Sequence, residues 1–246
     1  FVKVSYDTLH KIHLIKMSQN KYMQKALQLA NKAMKINEIP VGSVIVDNKG
    51  KALDEEITLA LSIFYVLKYF KEYRDAPIVT NLSTSLISEK IASKYNTRLM
   101  RSSVGEINVV NLMQKECALI GGEGNGGVIL AESHLGRDSL VGAAIILNLI
   151  SNESLSINEL FNLLPKFYIE KSTVHLTNSS DVYIKKLKEL YSNDNINEKD
   201  GLKIIRDNEW VHIRKSNTEP ILRIIAESKS IERSKELIEE IKNEIN

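Results

Sequence analysis

The stretch IVTNLSTSLISEKIASKYNTRLM, from Ile78 to Met100, decides the fold class. It reads as a short apolar strand that ends in hydroxyl-rich, helix-capping residues, then a helix over Ser83 to Tyr95, then a second strand. The pattern continues with a helix over Glu106 to Glu116 and a strand in CALI, residues 117–120. Alternating strands and helices predict an α/β fold, in which a mainly parallel sheet is covered by helices in three α/β/α layers.

The regions on either side of this alternation have different patterns. On the amino-terminal side we predict a helix over Lys21 to Lys35, a strand in EIPVGSVIV and a helix over Glu55 to Lys71. After Pro165, where we place a domain boundary, a strand, a helix, two strands flanking Asn208 and a charged amphipathic helix indicate a small α+β domain. Asp138 is placed to cap an apolar helix that ends near residue 150.

The composition is that of an ordinary folded protein. Thirty-three basic and 31 acidic residues leave a net charge of +2, which does not favour binding to nucleic acid or to a membrane. The single cysteine, Cys117, excludes an internal disulfide, and its apolar surroundings predict a buried structural thiol. Since no apolar stretch approaches the roughly 20 residues of a membrane span, we predict a soluble, cytoplasmic protein.

The segment RKSNTEP, Arg214 to Pro220, is a candidate phosphate site. Arg214 offers a planar pair of donors, Ser216 and Thr218 offer hydroxyls, and Asn217 offers an amide. Arg223 adds a second positive charge just beyond the proline. The alternative is a polar hairpin loop without a ligand.

The segment GGEGNGG, Gly121 to Gly127, follows a predicted strand and contains five glycines in seven residues. Glycines allow the backbone to approach a ligand closely, and Glu123 and Asn125 are the side chains there that can hydrogen bond to a sugar. A structural glycine turn is the alternative. For residues elsewhere we predict a loop role for His134 and a solvated strand edge for Lys203 and His212, and for Arg137 a surface ion pair is an equal alternative to a role in the site.

The string RKSNTEPILRI, Arg214 to Ile224, resembles the phosphate-binding loop of the α-D-phosphohexomutases, the phosphomannomutase, phosphoglucomutase and phosphoglucosamine mutase family. NLSTS, VGE, LPKFY and DGLKI are similar to other landmarks of that family and occur in its order. The resemblance implies that residues 46–165 form its sugar-binding third domain and residues 166–246 its phosphate-binding fourth domain. In the sugar loop, Asn125 stands where the family has a serine, and Gly127 where it has a histidine.

The resemblance also implies an activity. Members of the family are isomerases of carbohydrate metabolism, intramolecular phosphotransferases that use a phosphoserine in the first domain and Mg²⁺ in a DGDxDR loop of the second. This sequence contains neither motif, so we expect no catalytic residue, metal site or cofactor here and no turnover by this chain alone. We expect it to bind a hexose phosphate. The alternative is a non-catalytic phosphosugar-binding module that partners a complementing amino-terminal half of a mutase.

The first 45 residues have a different resemblance. ALQLANKAMKINEIPVGSVIV, Ala26 to Val46, is similar to the opening of tRNA adenosine deaminases. Those enzymes need HxE and PCxxC motifs to hold zinc, and one cysteine cannot supply them. We therefore interpret the chain as a fusion of a deaminase-like helix and strand with a truncated phosphohexomutase, and keep a tRNA-related remnant as a remote alternative.

Overall fold

The computed structural model describes residues 2–5, 24, 28, 31, 41–44, 55–176, 179–216 and 220–245. The chain divides into two compact units, Phe1–Asp54 and Glu55–Asn246. In the first unit, β1 (Val2–Ser5) pairs with β2 (Val41–Val44) in an antiparallel ladder. Strand β2 confirms the strand predicted in EIPVGSVIV. Gln24, Gln28 and Asn31 are helical, as expected for residues 21–35, and the rest of that predicted helix lies outside the described residues.

The second unit begins with an α/β domain. Its elements are α1 (Glu55–Tyr69), α2 (Glu72–Asp75), β3 (Ile78–Asn81), α3 (Leu86–Lys94), β4 (Leu99–Ser102), α4 (Glu106–Glu116), β5 (Ile120–Glu123), β6 (Gly127–Leu130), α5 (Ser139–Glu153) and α6 (Ile157–Leu163). The sheet has the order β4-β3-β5-β6. Strands β4, β3 and β5 are parallel, and β6 is an antiparallel edge strand. The mainly parallel sheet predicted from the alternation is confirmed.

Several helix ends follow directly from the sequence. The Ser85 side chain accepts a hydrogen bond from the backbone N–H of Ile87 and caps α3. Asp138 caps α5 in the same way through the N–H groups of Leu140 and Val141, as predicted.

At the carboxyl end of α4, Cys117 adopts the left-handed conformation, with φ at 53° and ψ at 38°. The prediction of a buried thiol was wrong: Cys117 is exposed. The chain reverses direction at this residue, and its neighbours Met113 and Ala118 fill the core instead.

The α+β domain contains β7 (Tyr168–His175), α7 (Ser180–Leu190), β8 (Asn195–Asn197), β9 (Leu202–Arg206), β10 (Glu209–Lys215), β11 (Ile221–Ser228) and α8 (Ile231–Ile245). Its five-stranded antiparallel sheet has the order β7-β11-β10-β9-β8. The tight turn between β9 and β10 places Asn208 at a φ of 58°, a conformation that asparagine tolerates better than most residues. The two predicted strands flanking Asn208 are confirmed.

The two faces of this second sheet differ sharply, because side chains alternate between faces along a strand. One face is apolar and packs with α7 and α8, around residues such as Val211, Ile213 and Ile224. The other carries Trp210 and His212 on β10, with Lys203 opposite His212 and Glu227 opposite Trp210. The prediction that Lys203 and His212 lie on a solvated edge was wrong. They are 2% and 0% exposed, because this polar face packs against the α/β domain.

No single helix in the described part of the chain is both long and apolar enough to cross a membrane. Helices α5 and α6 pass such a test only as a pair, and they are bent by 89° where they meet.

Candidate functional site

Two polar side chains meet where the parallel strands of the first sheet end. Asn81 is the last residue of β3 and Glu123 the last of β5, and both are buried. The Asn81 Nδ2 donates to Glu123 Oε1 at 2.8 Å, and the backbone N–H of Gly105 donates to the same oxygen at 3.0 Å. The carboxyl ends of adjacent parallel strands are a common position for ligand sites. The predicted sugar residue Glu123 therefore lies at that edge, held in one orientation.

The loop after β3, residues 82–85, is held by charged side chains on both sides. The Arg101 guanidinium donates to the carbonyl oxygens of Asn81 (3.1 Å) and Thr84 (2.6 Å). From the opposite side, the buried Glu56 carboxylate accepts from the backbone N–H of Ser85 at 3.0 Å. These contacts fix a loop that would otherwise leave buried backbone groups without partners.

The glycine-rich loop packs too closely on its neighbours for other residues. A Cβ at Gly124 would lie 1.7 Å from Glu56 Oε1, so a side chain there would displace the carboxylate. The Gly124 N–H donates to Thr84 Oγ1 at 3.1 Å, which ties this loop to the loop after β3. Asn125 is exposed at the tip, and its Oδ1 accepts from the Gly127 N–H at 3.2 Å. Within the described residues, its amide nitrogen makes no hydrogen bond.

An ion pair borders the same loop. The Arg137 Nε donates to Glu106 Oε2 at 2.6 Å, and the Arg137 backbone N–H donates to Glu106 Oε1 at 3.0 Å. Burial alone would raise the pKa of Glu106, but the hydrogen bonds and charge of Arg137, with a smaller contribution from His134, outweigh it and lower the pKa. Arg137 Nη1 also lies 3.7 Å from Glu123 Oε2. The predicted ion pair of Arg137 is confirmed, but it adjoins the glycine loop rather than standing apart from it.

The predicted phosphate loop joins β10 to β11. Arg214 and Arg223 are directly opposite each other in the antiparallel register, so their side chains leave the same face of the sheet. Arg223 is exposed, and Arg214 is half-buried with a buried Nε that has no hydrogen-bond partner in the described structure. The backbone N–H of Ser216 donates to Ile221 O at 3.0 Å and closes the hairpin. Asn217 and Thr218 lie outside the described residues.

The strand that carries Arg214 is bound directly to the first domain. Two residues before Arg214, His212 contacts Ser83 Oγ through Nδ1 at 2.8 Å and Asp200 O through Nε2 at 2.6 Å. The Ser83 N–H in turn donates to Asn81 Oδ1 at 2.9 Å, and Asn81 holds Glu123. A continuous series of hydrogen bonds thus connects β10, which carries Arg214, to the Glu123 carboxylate.

A second link runs through the turn before β9. Asp200 Oδ2 accepts from the backbone N–H of Val104 at 2.9 Å, and the next residue, Gly105, is bound to Glu123. Gly201 follows Asp200 with a φ of +77°, and a Cβ there would lie 2.9 Å from the Cα of Arg214. The sequence at this turn therefore lets the backbone pass directly beside Arg214.

The interface between the two domains contains buried ionisable groups. Glu227 accepts from Trp210 Nε1 at 2.6 Å and from Leu86 N at 2.8 Å, and it also bonds the Ser85 hydroxyl. Burial raises the pKa of Glu227 despite these bonds. Burial also lowers the pKa of Lys203, which donates to the carbonyl of Leu82 and stands 3.9 Å from the centre of the Trp210 ring.

The chain thus joins an α/β domain, which has a polar cluster at its strand ends, to an antiparallel domain with two arginines opposite each other at a hairpin. Two family models match: phosphoglucomutase/phosphomannomutase, alpha/beta/alpha domain III, over residues 54–168, and the phosphoglucomutase/phosphomannomutase C-terminal domain, over residues 173–244. The chain therefore belongs to the phosphoglucomutase/phosphomannomutase family, as its third and fourth domains.

The relatives of this chain carry the names of the same family. A phosphoglucomutase/phosphomannomutase of Thermococcus kodakarensis is 35% identical over 199 residues, which are 80% of this chain and 43% of that protein. A phosphoglucosamine/phosphogalactosamine mutase of Sulfurisphaera tokodaii is 36% identical over 207 residues, 81% of this chain and 45% of that protein. The chain thus spans less than half the length of these two relatives.

Solved structures share the fold. A phosphoglucomutase/phosphomannomutase family protein of Burkholderia thailandensis matches with a TM-score of 0.68 and 18% identity, over 83% of this chain and 44% of that one. The N-acetylphosphoglucosamine mutase of Aspergillus fumigatus, solved with GlcNAc-6P and magnesium, matches with a TM-score of 0.59 and 13% identity, over 84% and 50%.

Several residues that build this site are not among those predicted from the sequence. Asn81 and Gly105 hold Glu123, and Arg101 holds the loop after β3. A signal was present for Asn81, because a polar residue that ends an apolar strand lies at the same sheet edge as Glu123. No local pattern identifies Arg101, whose partners are backbone oxygens 16 to 20 residues away and the Glu89 carboxylate 12 residues away.

Proposed function

We propose that residues 55–245 bind a phosphorylated hexose and supply the sugar-binding and phosphate-binding half of a phosphohexomutase active site. The observation that carries the proposal is the cross-strand pair of Arg214 and Arg223 at the end of the second sheet. The names of this chain's relatives include phosphomannomutase and phosphoglucosamine/phosphogalactosamine mutase, and they support a hexose phosphate as the ligand class.

Two arginines directly opposite each other are unfavourable without an anion. Like charges in that position repel, and they destabilise a strand pair by a few tenths of a kcal/mol to about 1 kcal/mol. A buried guanidinium N–H without a partner, as at Arg214 Nε, adds a desolvation cost. A phosphate group between the two side chains would remove both costs and accept several charge-assisted hydrogen bonds. Ser216, Asn217 and Thr218 follow in sequence and would complete this clamp.

The sugar would bind at the edge of the first sheet. Glu123 is oriented by Asn81 and Gly105, and a carboxylate has acceptor positions left after two hydrogen bonds. The exposed Asn125 amide offers a donor at the loop tip, so the pair can bind a hydroxyl as donor and as acceptor. The hydrogen-bonded links through His212 and Asp200 support placing both loops around one ligand.

Isomerisation by this family requires a phosphoserine and Mg²⁺. The sequence contains no TASHNP-like segment to carry a phosphoserine and no DGDxDR segment to bind Mg²⁺. Among the described residues, no cluster of three His, Cys, Asp or Glu side chains is arranged to hold a metal ion, so we assign no step to magnesium in this chain. A non-catalytic phosphosugar-binding module is therefore the second candidate function, and the missing phosphoserine and magnesium motifs favour it. It shares the binding site proposed here.

Calorimetric titration with glucose 6-phosphate tests the proposal. We expect weak, saturable binding that Arg214→Ala reduces by about 1.5–3 kcal/mol, the usual contribution of a charged hydrogen bond. Lys229→Ala is the matched control, because it removes an exposed positive charge directly after the last residue of β11, at the end away from Arg223. Binding that is equal in the wild type and Arg214→Ala, or reduced equally in the control, would refute the proposed site.

A further inference from the structure

We infer that Arg137 is a specificity-determining residue of the sugar site. It makes the site prefer a hexose phosphate with a hydroxyl group at a given ring position to one with a protonated amine at that position. This inference rests on the function proposed above and assigns a role to a residue outside the two loops that define it. Three observations carry it: the contact of Arg137 with the glycine loop, its fixed position, and the charge balance around it.

The Arg137 side chain lies across the glycine loop at Gly127. A Cβ at Gly127 would be 2.4 Å from Arg137 Cδ and 2.9 Å from Arg137 Cγ, so the absence of a side chain there gives the arginine its place. The same hypothetical Cβ would be 3.1 Å from Asn125 Oδ1. Arg137 therefore lies beside the two residues, Glu123 and Asn125, that we propose to contact the sugar.

Glu106 binds the backbone N–H and the Nε of Arg137, and does not bind its two Nη atoms. The carboxylate accepts from Nε and from the backbone N–H, which determines where the guanidinium plane lies. Within the described residues, neither Nη atom makes a hydrogen bond, and Nη1 is 3.7 Å from Glu123 Oε2. The side chain is 38% exposed. A guanidinium in this state presents donors to a hydroxyl oxygen in the space above Glu123.

The charge balance gives the specificity. Glu106 and Glu123 place two carboxylates around the site, and Arg137 is the cation that contacts both. With Arg137 present, an ammonium group on the sugar meets a nearby positive charge and loses much of the attraction of the carboxylates. Without Arg137, the two carboxylates would attract an ammonium group strongly, because opposite charges a few ångströms apart still attract each other at a protein surface.

The test compares two ligands that differ at one position, glucose 6-phosphate and glucosamine 6-phosphate, at slightly acidic pH where the amine is protonated. Arg137→Gln keeps an N–H donor but removes the charge and shortens the side chain. We expect the affinity ratio of glucosamine 6-phosphate to glucose 6-phosphate to rise by about threefold or more in this variant. Arg98→Gln, which removes an exposed ion-paired arginine distant in sequence from the glycine loop, should leave the ratio at the wild-type value.

The outcomes separate this inference from the function on which it rests. A wild type that binds neither ligand would refute both. Binding of both ligands with the same ratio in the wild type and in Arg137→Gln would refute the role of Arg137 alone, as would a shift toward glucose 6-phosphate. Circular dichroism of each variant checks that the fold is retained, and Arg137→Lys, which keeps the charge, should keep the wild-type ratio.

Discussion

Glu227, in the last strand of the second sheet, accepts a hydrogen bond of 2.8 Å from the backbone N–H of Leu86 at the start of α3. The first N–H groups of a helix have no partner within the helix, and the helix dipole favours a negative charge there. The α+β domain therefore caps a helix of the α/β domain with a buried carboxylate. Trp210 Nε1 binds the same carboxylate at 2.6 Å, which holds it in position.

Removing that carboxylate should destabilise the junction of the two domains. Glu227→Ala leaves the N–H groups of Leu86 and Trp210 buried without an acceptor, and each costs about 1–3 kcal/mol. We expect the free energy of unfolding in urea to fall by about 2–4 kcal/mol. Glu189→Ala, at an exposed position on α7, should change it by less than about 0.5 kcal/mol. A loss for Glu227→Ala no larger than for Glu189→Ala would contradict this role.

His212 should make stability depend on pH. Nε2 donates to Asp200 O, so Nδ1 accepts from the Ser83 hydroxyl and the ring is neutral. The pKa of His212 falls from 6.5 to about 4: burial is the largest cause, the charges of Lys203 and Arg214 act in the same direction, and the backbone hydrogen bond and charge of Asp200 oppose it.

The sign follows from the direction of that shift. Because the folded pKa is depressed, the contribution of His212 is fully present above pH 6.5 and is lost as the pH falls towards 4. We expect a loss of about 3 kcal/mol over that interval in denaturation measured at several pH values. Burial raises the pKa of Glu227, so the contribution of Glu227 to stability increases as the pH falls. It therefore opposes the loss from His212 at acidic pH. His212→Asn should flatten the slope and His134→Asn should not; equal slopes in all three proteins would contradict the assignment.

Gly201 should be intolerant of any side chain. Its φ is +77°, and an added Cβ would lie 2.2 Å from Ile213 O. Gly201→Ala should lower the free energy of unfolding by about 2–4 kcal/mol and displace Arg214, which would weaken phosphate binding. Gly126→Ala is a matched control, because its φ is +87° but its nearest contact would be 3.5 Å away. If thermal denaturation shows equal losses for the two variants, the steric role of Gly201 is wrong.

At Cys117, glycine should give a more stable protein than alanine. It ends α4 in the left-handed conformation, where glycine has no steric penalty. We expect Cys117→Gly to raise the free energy of unfolding by about 0.5–1 kcal/mol relative to Cys117→Ala. The thiol is exposed, so it should also react with a thiol reagent in the native protein. Slow reaction that requires unfolding would contradict that exposure.

The fold was predictable from the sequence because its signals are local. The caps at Ser85 and Asp138 and the turn at Asn208 are short patterns, and they lie where the elements begin and end. The strand-helix alternation gave the parallel sheet for the same reason. Boundaries near Pro165 and residue 46 and the deaminase-like start remain predictions.

The interface between the two domains was not predictable in the same way. Lys203 and His212 look like solvated residues because charge and polarity are typical of surfaces. Their environment depends on Leu82 and Ser83, 121 and 129 residues away in sequence. Cys117 was misassigned because its neighbours are apolar, although the backbone conformation at the helix end turns its own side chain outward.

The most direct test of the phosphosugar site is ³¹P NMR of glucose 6-phosphate titrated with the protein. We predict that the phosphorus resonance shifts and saturates with the wild type, that the shift is strongly reduced with Arg214→Ala, and that it is retained with Lys229→Ala. A resonance that does not move with the wild type, or that moves equally with Arg214→Ala, would contradict the claim that Arg214 and Arg223 bind the phosphate of a sugar.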